Sequence, residues 1–138
     1  MTTFKNVISV DDVKSNLYVL HKVLEKMCPE VVIHDCESGE EGINVYNSMI
    51  KNNYPIDLIV CDYHMPWMDG ARFAKEIREL GYKGKLVILT SDVTVENGAI
   101  PFTDAVIYKP LKIEDIQKTL LYEMCIDCMK CLNTEENT

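Results

Sequence analysis

A chain of 138 residues that is 47% hydrophobic has the size of one compact domain able to bury its own core. It carries 14 Lys and Arg against 22 Asp and Glu, a formal charge of −8, so the phosphate attraction behind nucleic-acid affinity is missing and direct DNA or RNA binding is not expected. Its apolar runs fall far short of the roughly 20 residues that cross a bilayer, and MTTFKNVISVDD lacks the zones of a signal peptide, so a soluble cytoplasmic protein without a membrane partner is expected.

In chain order, Val7 to Val10 is a short apolar run that ends in carboxylates, as expected of a strand buried on both faces. Leu17, Leu20, Leu24 and Met27 recur at helical spacing, and Pro29 closes that helix. Val31 to Cys36 reads as a second strand, after which ESGEEG opens a helix carrying Ile43, Tyr46 and Ile50. Leu58 to Cys61 is a third strand, and Phe73, Ile77 and Leu80 mark a third helix stopped by Gly81. Leu86 to Leu89 is a fourth strand ending in Thr90. The stretch up to Ala105 holds β-branched Val93, Thr94 and Val95, then Gly98 and Pro101, so any fourth helix there is expected to be short or irregular. Ala105 to Tyr108 is a fifth strand, and Ile113, Ile116, Leu120 and Met124 predict a long last helix before the polar NTEENT. This alternation predicts an α/β fold, an open five-stranded parallel sheet with helices on both faces.

Such a fold carries its functional loops at the carboxyl ends of its strands. Asp11 and Asp12 follow the first strand, Asp62 the third, Thr90 the fourth and Lys109 the fifth. Three carboxylates within about 4–5 Å repel by roughly 3–4 kcal/mol per pair at an effective dielectric near 20, so a cation is required among them. Carboxylate, carbonyl and water ligands suit Mg²⁺, while Lys109 and the Thr90 hydroxyl suit phosphoryl oxygens. The set fits phosphoryl transfer to a carboxylate nucleophile. An acidic pair before a helix can also be no more than an N-cap, which is the structural alternative for Asp11 and Asp12.

From about Val7 to Leu121 the chain resembles the response-regulator receiver family, through SVDD, CDYHMPWMDG, LTSD and YKP in the family's order. The run DDVKSNLYVL is most similar to receivers of hybrid histidine kinases. The resemblance implies a flavodoxin-like, doubly wound sheet of order 2-1-3-4-5. It implies Asp62 as phosphoacceptor, Mg²⁺ held by Asp11, Asp12, Asp62 and the backbone carbonyl of His64, Thr90 and Lys109 on the phosphoryl group, and a cis bond before Pro110. It also implies a histidine kinase or histidine phosphotransfer protein as donor, a downstream protein effector, and self-catalysed acceptance with slow autodephosphorylation rather than turnover of a separate substrate. The family's switch aromatic is replaced by Val106, with Tyr108 on the same strand face.

His64 and Asp92 occupy positions where the family tunes phosphoryl hydrolysis, although His64 taken alone reads as exposed loop. Trp67 reads as a loop residue packed near the site. Cys28, Cys36 and Cys61 lie on apolar stripes and read as core. Cys125, Cys128 and Cys131 have Cys-x-x-Cys-x-x-Cys spacing without a fourth ligand nearby, so a metal or redox role competes with an apolar helix end or a self-association surface. The division expected is a receiver domain over 1–124 and a Cys-containing helix end with polar tail over 125–138. Two rival readings remain: an interaction module that works without phosphorylation, and a cysteine-based metal or redox sensor.

Overall fold

A computed structural model of the chain describes residues 4–96 and 98–117, with the backbone alone at 115 and 116. Its strands are β1 (Asn6–Val10), β2 (Val32–Cys36), β3 (Leu58–Asp62), β4 (Lys85–Thr90) and β5 (Ala105–Tyr108), all paired in parallel in the order β2-β1-β3-β4-β5. Helices α1 (Lys14–Met27), α2 (Gly39–Lys51) and α3 (Gly70–Glu79) connect the first four strands, and one helical turn, α4 (Ile113–Ile116), follows β5. This is the flavodoxin-like, doubly wound order expected. Cys125, Cys128 and Cys131, most of the last helix and the 124/125 division lie outside the described residues.

Successive strand residues point to opposite faces, so each strand feeds two cores. On one face Ile8, Val10, Ile59, Cys61, Leu86, Ile88 and Val106 meet Tyr46 and Met49 of α2 and Phe73, Ala74 and Ile77 of α3. On the other, Val7, Leu58, Val60, Val87, Leu89 and Ile107 meet Leu20, Val23 and Leu24 of α1. Complete burial of a side chain such as Phe73 or Leu24 contributes about 1.5–3 kcal/mol. Cys28, Cys36 and Cys61 are buried in these cores as expected. Burial, then the charges of Glu41 and Asp35, push the Cys36 thiol up to about 12, which keeps it from acting as a thiolate.

Local signals set the helix ends. Ser38 caps α2 by accepting from the Glu41 N–H at 3.1 Å, and the Glu41 carboxylate returns to the Glu37 N–H at 2.9 Å. Gly81, at φ 104°, stops α3 with its N–H on the Arg78 carbonyl. The inward faces differ from expectation at two positions. Met49, not Ile50, enters the core from α2, leaving Ile50 48% exposed; Leu80 caps α3 and is 46% exposed. A stripe of three-to-four spacing defines a face only to within one residue, and here Met49 lies about 20° around the helix from the buried Gly42, against about 80° for Ile50.

Between β4 and β5 the expected short or irregular helix gives way to turns, with no helix among the described residues. Gly98 and Phe102 both take positive φ, which a helix cannot hold, and Ile100 is buried between them as the segment's core contact.

Candidate functional site

β2 and β3 leave opposite sides of β1, so the crevice of the sheet opens at the carboxyl ends of β1 and β3. Asp11 follows β1 and Asp62 ends β3 there, 3% and 7% exposed respectively. One carboxylate oxygen from each of Asp11, Asp12 and Asp62 lies within 4.8 Å of the others. Lys109 reaches in from the end of β5, its Nζ 2.8 Å from Asp62 Oδ1 and 3.2 Å from Asp11 Oδ2. Its backbone is fixed by an N–H bond to the Thr90 carbonyl at 2.8 Å, and the Lys109–Pro110 peptide is cis, as expected. Thr90 ends β4 fully buried, and its Oγ1 accepts from the Asp92 N–H at 3.0 Å.

The N-cap alternative does not describe Asp11 or Asp12: the N-cap of α1 is Val13, which makes no side-chain cap bond, and Asp11 lies two residues before it. Oδ1 of Asp11 accepts from the Val13 N–H at 2.9 Å, ordering the entry to α1, while Oδ2 faces Lys109. Asp12 is exposed at the pocket mouth. Behind Asp62 the chain leaves space only for glycine: a Cβ on Gly70 would stand 2.8 Å from the Asp62 carbonyl oxygen and 2.9 Å from the Tyr63 Cα. That close approach lets the Gly70 N–H meet the Tyr63 carbonyl at 2.7 Å and closes the loop after the acceptor.

Charge is unbalanced in this pocket. Burial, then the charges of Asp11 and Asp12, raise the Asp62 carboxyl above its ordinary 3.8, against the pull of the Lys109 hydrogen bond. Burial alone would lower the Lys109 ammonium, yet its hydrogen bond to Asp62 and the charges of Asp11 and Asp62 outweigh burial and raise it. One lysine among three carboxylates leaves an excess of about two negative charges, and the donors are all oxygen, which fits a small hard divalent cation.

Of two residues in the loop after β3, one stands as expected and one does not. His64 is exposed, as expected, but its Nε2 lies 3.2 Å from Asp92 Oδ2, joining the loops after β3 and β4. The carboxyl of Asp92 is lowered by hydrogen bonds from Thr94, then by His64. Sequence reasoning had no signal for this pairing across 28 positions. Trp67 is not packed as expected: it is 97% exposed at a φ of 70°, while Met65 and Met68 face the core.

A doubly wound sheet with an acidic cluster and a lysine at its crevice puts these residues where open α/β folds bind their ligands. The chain belongs to the response regulator receiver domain family, whose model matches residues 7–121. It is similar to the sensor histidine kinase RcsC of Escherichia coli K12, 29% identical over 90 residues (63% of this chain, 9% of that protein). It is also similar to the sensory/regulatory protein RpfC of Xanthomonas campestris pv. campestris, 33% identical over 94 residues (65% and 12%). The chain thus spans about a tenth of the length of the curated relatives it matches. In structure it is similar to a Borrelia burgdorferi CheX–CheY–BeF₃–Mg complex, with TM-score 0.74 and 21% identity over 86% of this chain and 87% of that one. Among the described residues no helix is long and apolar enough to cross a membrane.

Proposed function

We propose that this domain accepts a phosphoryl group on Asp62 from a phosphohistidine donor, a histidine kinase or histidine phosphotransfer protein, and that the modified pocket switches a surface read by a protein effector. The observation that carries this reading is Lys109 Nζ bridging Asp62 and Asp11 beside three clustered carboxylates. Asp11, Asp12, Asp62 and the His64 backbone carbonyl would hold Mg²⁺. When bound, the ion supplies positive charge to the oxygens of the transferring group.

The chain's own residues do the rest. The buried Asp62 carboxylate attacks phosphorus; the phosphorus–nitrogen bond to the donor breaks, and its electron pair stays on the imidazole. Lys109 is placed to pair with the charge gained by the phosphoryl oxygens, and the Thr90 hydroxyl, its oxygen already fixed by the Asp92 N–H, is free to donate. The loops after β3 and β4 then respond together, since His64 and Asp92 join them. Intact-mass measurement with acetyl phosphate tests the reading. One phosphoryl group per chain is expected in Mg²⁺ and none in EDTA; no incorporation under either condition would overturn it and favour an interaction module that works without phosphorylation.

A further inference from the structure

Neither local conformation nor packing explains the tryptophan beside the acceptor. The Met68 N–H bonds to the Pro66 carbonyl at 2.8 Å around Trp67, whose φ is 70°, a tight γ-turn that suits glycine and strains a bulky side chain. The same turn leaves Trp67 the most exposed of the large hydrophobic residues described, at 97%. Strain and exposed apolar surface both argue for a replacement, so the residue answers to something outside the fold.

Its surroundings say what. The loop from Tyr63 to Gly70 closes on itself, so its tip stands over the carboxyl end of β3, five residues from Asp62. β3 lies between β1 and β4, and the loops after those strands expose Val13 at 46% and Val93 at 78%. Val13, Trp67 and Val93 are thus exposed apolar residues on three adjacent loops, an apolar rim at the sheet end that holds the acidic cluster. Any protein that delivers a phosphoryl group to Asp62 must cross this rim. A chain of charge −8 with an acidic pocket has little electrostatic attraction for an anionic donor, so apolar contact is the attraction this edge offers.

Resting on the Asp62 reading, we propose that Trp67 anchors the protein phosphodonor, its indole entering an apolar depression beside the donor's phosphohistidine while Val13 and Val93 flank the contact. Buried tryptophans are frequent dominant contacts in interfaces. Docking by Trp67 matters to a protein donor and not to a small one, and that difference is the test.

The experiment compares wild type, Trp67→Gly and Trp67→Phe with two donors: acetyl phosphate, and a tryptophan-free phosphohistidine-bearing phosphotransfer domain chosen because it labels the wild type. Trp67→Gly should raise KM for the protein donor by roughly tenfold or more relative to acetyl phosphate, with Trp67→Phe recovering most of it. Its melting temperature should not fall, because glycine accepts the turn. In wild type, the single tryptophan should become protected from acrylamide quenching as unphosphorylated donor domain is added. Undiminished protein-donor transfer to Trp67→Gly, or an equal loss with both donors, would overturn the proposal. Failure of the Asp62 reading is distinct, since wild type would then take no label on Asp62 from acetyl phosphate in Mg²⁺.

Discussion

The two ends of the sheet use charge in opposite ways. At the amino end Arg78 donates to the carbonyls of Phe102, Tyr82 and Gly84 at 2.7–3.0 Å and to Asp104 at 3.1 Å, and Asp57 accepts the N–H groups of Lys5 and Asn6. Asp104 also receives the Leu86 N–H, so cation, carboxylates and loop carbonyls are paired. At the carboxyl end Asp11 and Asp62 share Lys109, with Asp12 clustered beside them. Paired charge holds loops in place, whereas excess charge of one sign suits a pocket to the cation and phosphoryl group of the proposed function.

The largest expected break of this contrast is Asp62→Asn, which should abolish labelling by acetyl phosphate while the protein stays folded, because the amide keeps the shape and is a poor nucleophile. Arg78→Ala should do the reverse. Loss of its hydrogen bonds and of the Asp104 pair should destabilise by about 2–3 kcal/mol, lowering the melting temperature by roughly 10 °C, with labelling intact in the folded fraction. Equal stability of Arg78→Ala and wild type would show that the amino end is not held by this network.

A smaller effect is expected from pH. The Asp62 carboxyl is raised in the folded state, so the native protein binds its proton more tightly than the unfolded chain. Without divalent cations, its contribution is greatest when protonated and is lost as pH rises from about 4 through the raised folded value. Asp62→Asn should therefore gain stability over wild type as pH rises across that window, and millimolar Mg²⁺ should narrow the gap by stabilising wild type. A pH-independent difference in EDTA would contradict the account. Smallest of all, Tyr108→Phe should release the Tyr108 hydroxyl bond to the Val95 carbonyl, about 1 kcal/mol or less, and speed hydrogen exchange from Val93 to Phe102. Unchanged exchange would leave Ile100 as that segment's anchor.

Most of the sheet, and the residues gathered at its carboxyl edge, could be read in the sequence, because buried parallel strands are continuous apolar runs and four of the five run into one of those residues at that edge: Val10 before Asp11, Cys61 before Asp62, Leu89 before Thr90, Tyr108 before Lys109. What escaped depends on direction or long range. Helical spacing did not separate Met49 from Ile50. Nothing local announced that Trp67 would take a left-handed turn and face outward, nor that Arg78 would reach carbonyls from Tyr82 to Phe102. The weak helix propensity after Thr90 was legible; its complete replacement by turns came from Gly98, Phe102 and the inward pull of Ile100.

The central claim is that the unbalanced end of the sheet is a phosphoacceptor centred on Asp62. The most direct measurement is peptide mass spectrometry after acetyl phosphate and Mg²⁺ treatment followed by borohydride reduction, which converts an aspartyl phosphate to homoserine. The account predicts homoserine at Asp62 alone; homoserine at Asp11 or Asp12, or none anywhere, would contradict it.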